Sequence, residues 1–203
     1  MDLEKRSFNF DVSAEEGHII TGRPIVYNSR SDIGLFDEII MEGALDHANL
    51  KDVRFLVNHD TSKIPLARSR NNNENSTMQL SVDNNGMKIR VNLDIENNAE
   101  ARSLYSAVQR GDISGMSFMF SVNEDKWDDL ETDHPTRNIR SIGSVVEVSA
   151  VTFPAYKDTE ISTRSKEALD NARSVLDSTR QQRETLLESK EIQLLKEKLK
   201  LRR

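Results

Sequence analysis

Cysteine is absent from the 203 residues, which excludes thiolate nucleophiles, thiolate zinc sites and disulfide frameworks at once. That composition is compatible with a reducing, intracellular setting. No apolar run approaches the roughly 20 residues needed to span a bilayer. The opening MDLEKRSFNF has no signal-peptide h-region, so a soluble protein without a membrane partner, cytosolic where it is made, is expected. No basic patch interleaved with aromatics appears either. The net charge is -6, and its distribution is uneven: residues 1–159 hold 17 Lys and Arg against 26 Asp and Glu, whereas residues 160–203 hold 11 against 8. An acidic body repels phosphates, so nucleic acid is not an expected partner. The sequence also lacks H-E-x-x-H, Cys/His metal spacing, a Walker loop and G-x-G-x-x-G. The acidic cluster Asp125, Asp128, Asp129, Glu131 and Asp133 lacks the glycine and spacing of an EF-hand. Neither metal nor organic cofactor is expected.

What is present can hold one domain with a core, plus an appendage. Phe8, Phe10 and Val12 alternate with polar residues and predict a first strand, closed by a polar turn over Ala14–Gly17. His18–Tyr27 predicts a second strand, interrupted by Gly22 and Pro24 as a bulge or an edge would be. Phe36–Ile40 predicts a third, and MEGALDHANL a brief helix entered after Gly43. Val53–Val57 is an apolar run bounded by charges, a buried strand that delivers Asn58, His59 and Asp60 at its end. TMQLSV-DNNG-MKIRVNLD predicts a hairpin whose Asn-Gly supplies the positive φ of the turn. Ala101, Leu104, Tyr105 and Val108 fall at helical spacing, and Gly111 stands where a helix C-cap glycine belongs. That helix runs directly into RGDISGMSFMFSV.

In this last stretch Met116, Phe118, Phe120 and Val122 alternate with Ser117, Met119 and Ser121. The period of two predicts a strand with one strongly apolar face and Ser117 on the other. Glu124–Asn138 is acidic, carries the sole Trp127, and predicts an excursion or hairpin tip. Arg140–Phe153 is the most β-prone run of the chain, with Glu147 in its middle and Pro154 at its end. Beyond Tyr156 there is no glycine, proline or aromatic residue, and the remainder predicts a long helical tail outside the body. Leu169, Ala172, Leu176 and Thr179 fall at heptad-like spacing, which suits docking or self-association as well as a plain charged helix.

Serine hydrolysis needs a hydroxyl, a base near neutrality and a group that fixes the tautomer of that base. Ser117, displayed on a rigid strand, suits the first role. Among the four histidines, His18 lies in a β stretch, His47 beside Asp46 in the short helix, and His134 in the acidic excursion. His59, just past a buried strand, is held by scaffold. Asp60 adjoins it but diverges from its ring, as consecutive side chains on an extended backbone do. Glu147, among valines, either is partnered, an imidazolium being a suitable partner, or lies on the solvated face of an edge strand. A nucleophile elbow is excluded because Met119 stands where G-x-S-x-G needs glycine, and the order His, Ser, Glu is not that of α/β-hydrolases. The turn Pro154–Lys157, beside Glu147, is a candidate source of oxyanion donors.

VRFLVNHD followed by IPLAR, then RGDISGMSFMFSV, then VVEVSAVTFPAY resembles the tailed-phage prohead protease family of serine endopeptidases, related in fold to the herpesvirus assemblins. ITGRPIVYNS and FDEIIMEGALD are similar to the opening segments of that family, although Arg23-Pro24 stands where small residues are usual. The resemblance spans residues near 5 to 160. It implies that His59 is the histidine of the NHD block, Ser117 the serine of the G-x-S-F block and Glu147 the acid of the E-V-S block. In the assemblin relatives that last place is a second histidine. With the elements above, it implies an α+β fold: a mainly antiparallel, β-barrel-like core with a few packed helices, plus the C-terminal helical tail. Residues 1–160 would form the protease domain and 161–203 a tail that recruits the enzyme or is trimmed by it. The implied activity is cleavage of the scaffolding segment of the major capsid protein, of other internal proteins and of the protease itself. Its setting would be the immature head in the host cytoplasm. The competing reading is an inactive assembly or scaffold protein that binds coat protein through the tail.

Overall fold

The computed structural model describes residues 3–8, 12–153 and 159–200, with side chains over 3–7, 12–153 and 165–190. A long hairpin forms its spine. β10 (Gly115–Asp128) and β11 (Thr136–Val151) pair antiparallel from Gly115↔Val151 out to Asp128↔Thr136, so the acidic excursion is the far end of this hairpin, with 129–135 at its tip. β1 (Glu4–Phe8) pairs with the outer edge of β10. On its other edge β11 is long enough to take two partners in succession. β5 (Asp37–Ile40) lies parallel to its start and β6 (Asp52–Val57) parallel to its end, with β4 (Arg30–Asp32) beside β5 and β7 (Ala67–Arg70) beside β6. This seven-stranded sheet is mainly antiparallel, as expected, with β5 and β6 as its two parallel pairings on β11. A second, antiparallel sheet has the order β2 (Val12–Glu15), β3 (Ile19–Val26), β9 (Gly86–Asn92), β8 (Met78–Asp83).

The alternation in β10 determines what the core contains. Met116, Phe118 and Phe120 are wholly buried together with Phe55, Val148 and Val145 of the first sheet and Ile20, Ile25, Met87 and Ile89 of the second. Each large side chain contributes about 1.5–3 kcal/mol by leaving water. α1 (Ala99–Arg110) closes this core with Ala101, Leu104 and Val108. Its N-cap Asn98 accepts from the amides of Glu100 and Ala101, and Gly111, at φ 79°, turns the chain out of the helix in the left-handed conformation that glycine adopts without a Cβ clash.

Several expectations are corrected. The sheets share one core but do not close into a barrel among the described residues, because β1 and β4 end the ladder of one sheet and β2 and β8 that of the other. Phe8 ends one strand and Val12 begins another in the opposite sheet, while Phe10 lies outside the described residues. MEGALDHANL forms no helix. Ala44, Asp46 and Ala48 each donate to the carbonyl three residues back, giving successive turns, and Gly43 at φ 82° interrupts any helical path. The bulge in the second strand is present, with a register shift between Gly22 and Ile25, but β3 is internal to its sheet rather than an edge. Finally α2 (Thr159–Lys200) is not wholly outside the body: Ser165 and Leu169 are buried, and Arg173 donates to the carbonyls of Leu130 and Thr132 at the hairpin tip. No helix of the described residues is long and apolar enough to cross a membrane.

Candidate active site

Ser117 is the third residue of β10 and faces away from the phenylalanines, as the alternation requires. It is paired with Ser7 of β1 on one side and Ser149 of β11 on the other, so three serines stand in a row across the sheet. Glu147, two residues before Ser149, projects from the same face of β11. The structure thus gives Glu147 the partnered, buried environment, not the solvated edge.

His59 reaches this face by a tight reversal. β6 ends at Val57, and both Asn58 (φ 50°) and His59 (φ 57°) adopt the left-handed conformation. For non-glycine residues this costs about 1–2 kcal/mol each, and such strain persists only where the surroundings impose it. The surroundings do so here. The Asn58 amide donates to the Ala150 carbonyl at 3.0 Å, and its side chain accepts from the Thr152 amide at 2.9 Å and donates to the Thr152 hydroxyl at 3.0 Å. The loop is fastened to the end of β11, and the imidazole is swung across it.

The result is a continuous line of contacts. Nε2 of His59 lies 2.5 Å from Oγ of Ser117, and Nδ1 is hydrogen-bonded to Oε1 of Glu147. The remaining carboxylate oxygen, Oε2, accepts from Oγ of Ser149 at 2.7 Å. The His59 and Glu147 side chains are only 12% and 4% exposed, so little water competes for these bonds. Asp60 takes no part: its carboxylate accepts from the amide and hydroxyl of Ser62 and closes its own turn. His18 meets Tyr105 edge-on, His47 is exposed on the turns that replace the short helix, and His134 pairs with Asp37.

Ser117 is fully enclosed. Its hydroxyl donates to the Arg6 carbonyl at 2.7 Å and accepts from the Ser7 hydroxyl at 2.9 Å. A hydroxyl has one hydrogen, so the Arg6 carbonyl and Nε2 of His59 compete for it. β1, which brings these groups, is anchored by buried charge. Arg6 forks onto Glu38 of β5 at 2.5 and 2.7 Å, and Arg137 of β11 bridges Glu4, Glu38 and Asp125. Burial alone would push the Glu4 carboxyl up, but the hydrogen bond from Arg137 and the charges of Arg6 and Arg137 outweigh it and hold it below its ordinary value.

One group among the described residues could approach a metal. Asp32, Asp37 and His134 bring ligand atoms within 4.8 Å of one another at the surface. An ion pair of Asp37 with Arg30 and its hydrogen bond with His134 account for the cluster without an ion. The turn Pro154–Lys157, expected to supply oxyanion donors, lies outside the described residues. Ser7, Asn58 and Ser149 are site neighbours that the sequence does not single out. For Ser149 a signal exists, since a hydroxyl two positions from a strand carboxylate shares its face.

Known proteins resemble the chain as follows. The chain is 26% identical over 179 residues to the "Prohead protease" of Enterobacteria phage HK97, covering 86% of this chain and 72% of that protein. The solved structure of the bacteriophage T4 capsid assembly protease is a distant likeness that covers 76% of this chain and 100% of its own at 11% identity, with a TM-score of 0.39. Residues 3–173 match the caudovirus prohead serine protease profile, a span that runs from before Glu4 to the packed start of α2. The chain therefore belongs to the caudovirus prohead serine protease family.

Proposed function

We propose that this chain is a serine endopeptidase of prohead maturation, with Ser117 as nucleophile, His59 as general base and Glu147 as the acid that orients it. The observation that carries the reading is the line Glu147, His59, Ser117, in which each ring nitrogen has a single partner. Nε2 takes the hydroxyl proton as Oγ bonds to the peptide carbonyl carbon. Nδ1–H stays on Glu147, whose carboxylate stabilises the imidazolium. The imidazolium then protonates the departing amine, and water, activated by the same nitrogen, hydrolyses the acyl-enzyme. The chemistry calls for no metal.

Because Ser117 is enclosed, a substrate carbonyl reaches Oγ only after Ser7 and the Arg6 carbonyl give way. The hydroxyl hydrogen is then left to Nε2 alone. The substrates in this reading are the scaffolding segment of the major capsid protein, other internal prohead proteins and the chain itself, inside the immature head in the host cytoplasm. Residues 1–160 would carry catalysis and 161–203 would dock on the shell, self-associate or be trimmed. Support for a phage-head setting is the name of the HK97 relative.

The test is co-expression of the chain with its coat protein and comparison with Ser117→Ala. Processing of the coat protein by the wild type and its loss in the variant are expected. Unchanged processing in the variant would favour the scaffold reading instead. For the tail, a chain ending at Arg180 keeps the packed turns of α2; its normal incorporation into heads would remove the docking role from residues 181–203.

A further inference from the structure

We propose that Ser149 is a positioning residue for the hydrolysis, which ties the acid to the base through a closed ring of hydrogen bonds; this rests on the protease reading above. Ser149 is fully enclosed in β11, yet its hydroxyl is doubly used. It accepts from the His59 amide at 3.1 Å and donates to Oε2 of Glu147 at 2.7 Å. Oε1 of the same carboxylate bonds Nδ1 of the His59 ring. The ring thus runs from the His59 backbone through Ser149 and Glu147 back to the His59 imidazole.

Each bond in it removes one freedom that catalysis cannot tolerate. A carboxylate can rotate about its terminal torsion, whose wells are broad. Ser149 claims Oε2, so Oε1 stays aimed at Nδ1 and keeps the proton there, which leaves Nε2 as the acceptor facing Ser117. His59 is also in the left-handed region, with no intrinsic preference to remain there. The bond from its own amide to Ser149 holds the backbone in that state. One hydroxyl therefore sets both the tautomer of the ring and the place from which the ring departs. It touches neither Nε2 nor the attacking oxygen, so its role is exerted through His59 and Glu147. Alanine at 149 would leave the buried Oε2 and the His59 amide without that partner.

Three readouts on the full-length chain test this. With a peptide spanning a cleaved junction, Ser149→Ala is expected to lower kcat about 10–100-fold, by analogy with the hydrogen-bond partners that orient metal-ligating histidines, with KM within about twofold. Ser149→Thr, which keeps the hydroxyl on a β-compatible side chain, is expected to regain most of the loss. Unchanged kcat in Ser149→Ala, or equal loss in both variants with equal loss of thermal stability, would overturn the proposal. The third readout does not depend on turnover. In the Ser117→Ala background the proton on Nδ1 of His59 is expected to give a far-downfield resonance, lost or moved upfield on adding Ser149→Ala. An unmoved resonance would overturn the proposal. Inactive wild type with a Ser149-dependent resonance would sink the protease reading but not the ring.

Discussion

The hydroxyl of Ser117 and the ring of His59 lie 58 positions apart in the chain and 2.5 Å apart in space. Their strands never pair with each other. β10 and β6 are both registered on β11, Ser117 opposite Ser149 and Leu56 opposite Ser149 from the other side. One strand thus serves as the template for nucleophile and base, and the acid is part of the template itself. A register slip of one residue in β11 would turn Glu147 and Ser149 to the opposite face.

If Ser117 and His59 act as a unit, their losses do not add. Ser117→Ala and His59→Ala are each expected to reduce kcat by about 10⁴–10⁶, and the double variant by no more than the worse single one. Steady-state cleavage of a junction peptide by all three decides this. A double variant slower by the product of the two losses would show that they act independently.

Glu147→Gln keeps volume but offers Nδ1 an amide, either nitrogen or oxygen, instead of a carboxylate. The imidazolium loses its counter-charge and the tautomer its bias, so kcat is expected to fall about 10²–10⁴-fold, with KM little changed. Activity within tenfold of wild type would remove Glu147 from the catalytic group.

The parts of this site that were legible were those with a local period. The alternation around Ser117 and the valines around Glu147 place those two on strands, and the apolar run before His59 places it just past the end of one, because burial on one face of a sheet leaves its mark within a few residues. The segment 41–50 reads as a helix yet forms turns, because Ala44, Leu45 and Ala48 do pack on the core, and apolar spacing alone does not distinguish a helical turn from successive tight turns around Gly43. The enclosure of Ser117 was invisible for a different reason. It depends on β1, whose attachment runs through Arg6 to Glu38, 32 positions on, and through Glu4 to Arg137, 133 positions on. No window of sequence contains such pairs.

Gly86 follows the hairpin turn at φ 122°, and a Cβ there would stand 2.1 Å from the Ile25 carbonyl oxygen, a backbone atom of the neighbouring strand that has no side-chain freedom. Gly86→Ala must separate β3 from β9 beside the bulge. A loss of about 2–4 kcal/mol is expected in urea unfolding. Gly111→Ala meets no atom within 4 Å and should show only the left-handed backbone cost, about 1 kcal/mol. Equal losses in the two would mean that the close approach at Ile25 relaxes freely.

The charge network under β1 predicts a specific response to acid. Arg6, Glu38 and Arg137 are almost wholly buried, so removing one member leaves the others uncompensated, and Glu38→Leu is expected to destabilise by about 3–5 kcal/mol. Glu4 supplies the pH dependence. Its folded carboxyl is held below its ordinary value of 4.5 despite burial, because Arg137 and Arg6 favour the charged form. A lowered folded value means that the unfolded chain binds the proton first. The stabilisation from Glu4 is therefore complete above its unfolded value and is lost as the pH falls from there through the folded value. Urea midpoints measured from about pH 6 to about pH 3 should fall for the wild type and fall less steeply for Glu4→Gln, which has no proton to gain. Parallel slopes would show that the grip of Arg137 and Arg6 on Glu4 is as strong in the unfolded chain as in the folded one. The charge that fastens β1 over Ser117 would then contribute nothing to acid sensitivity.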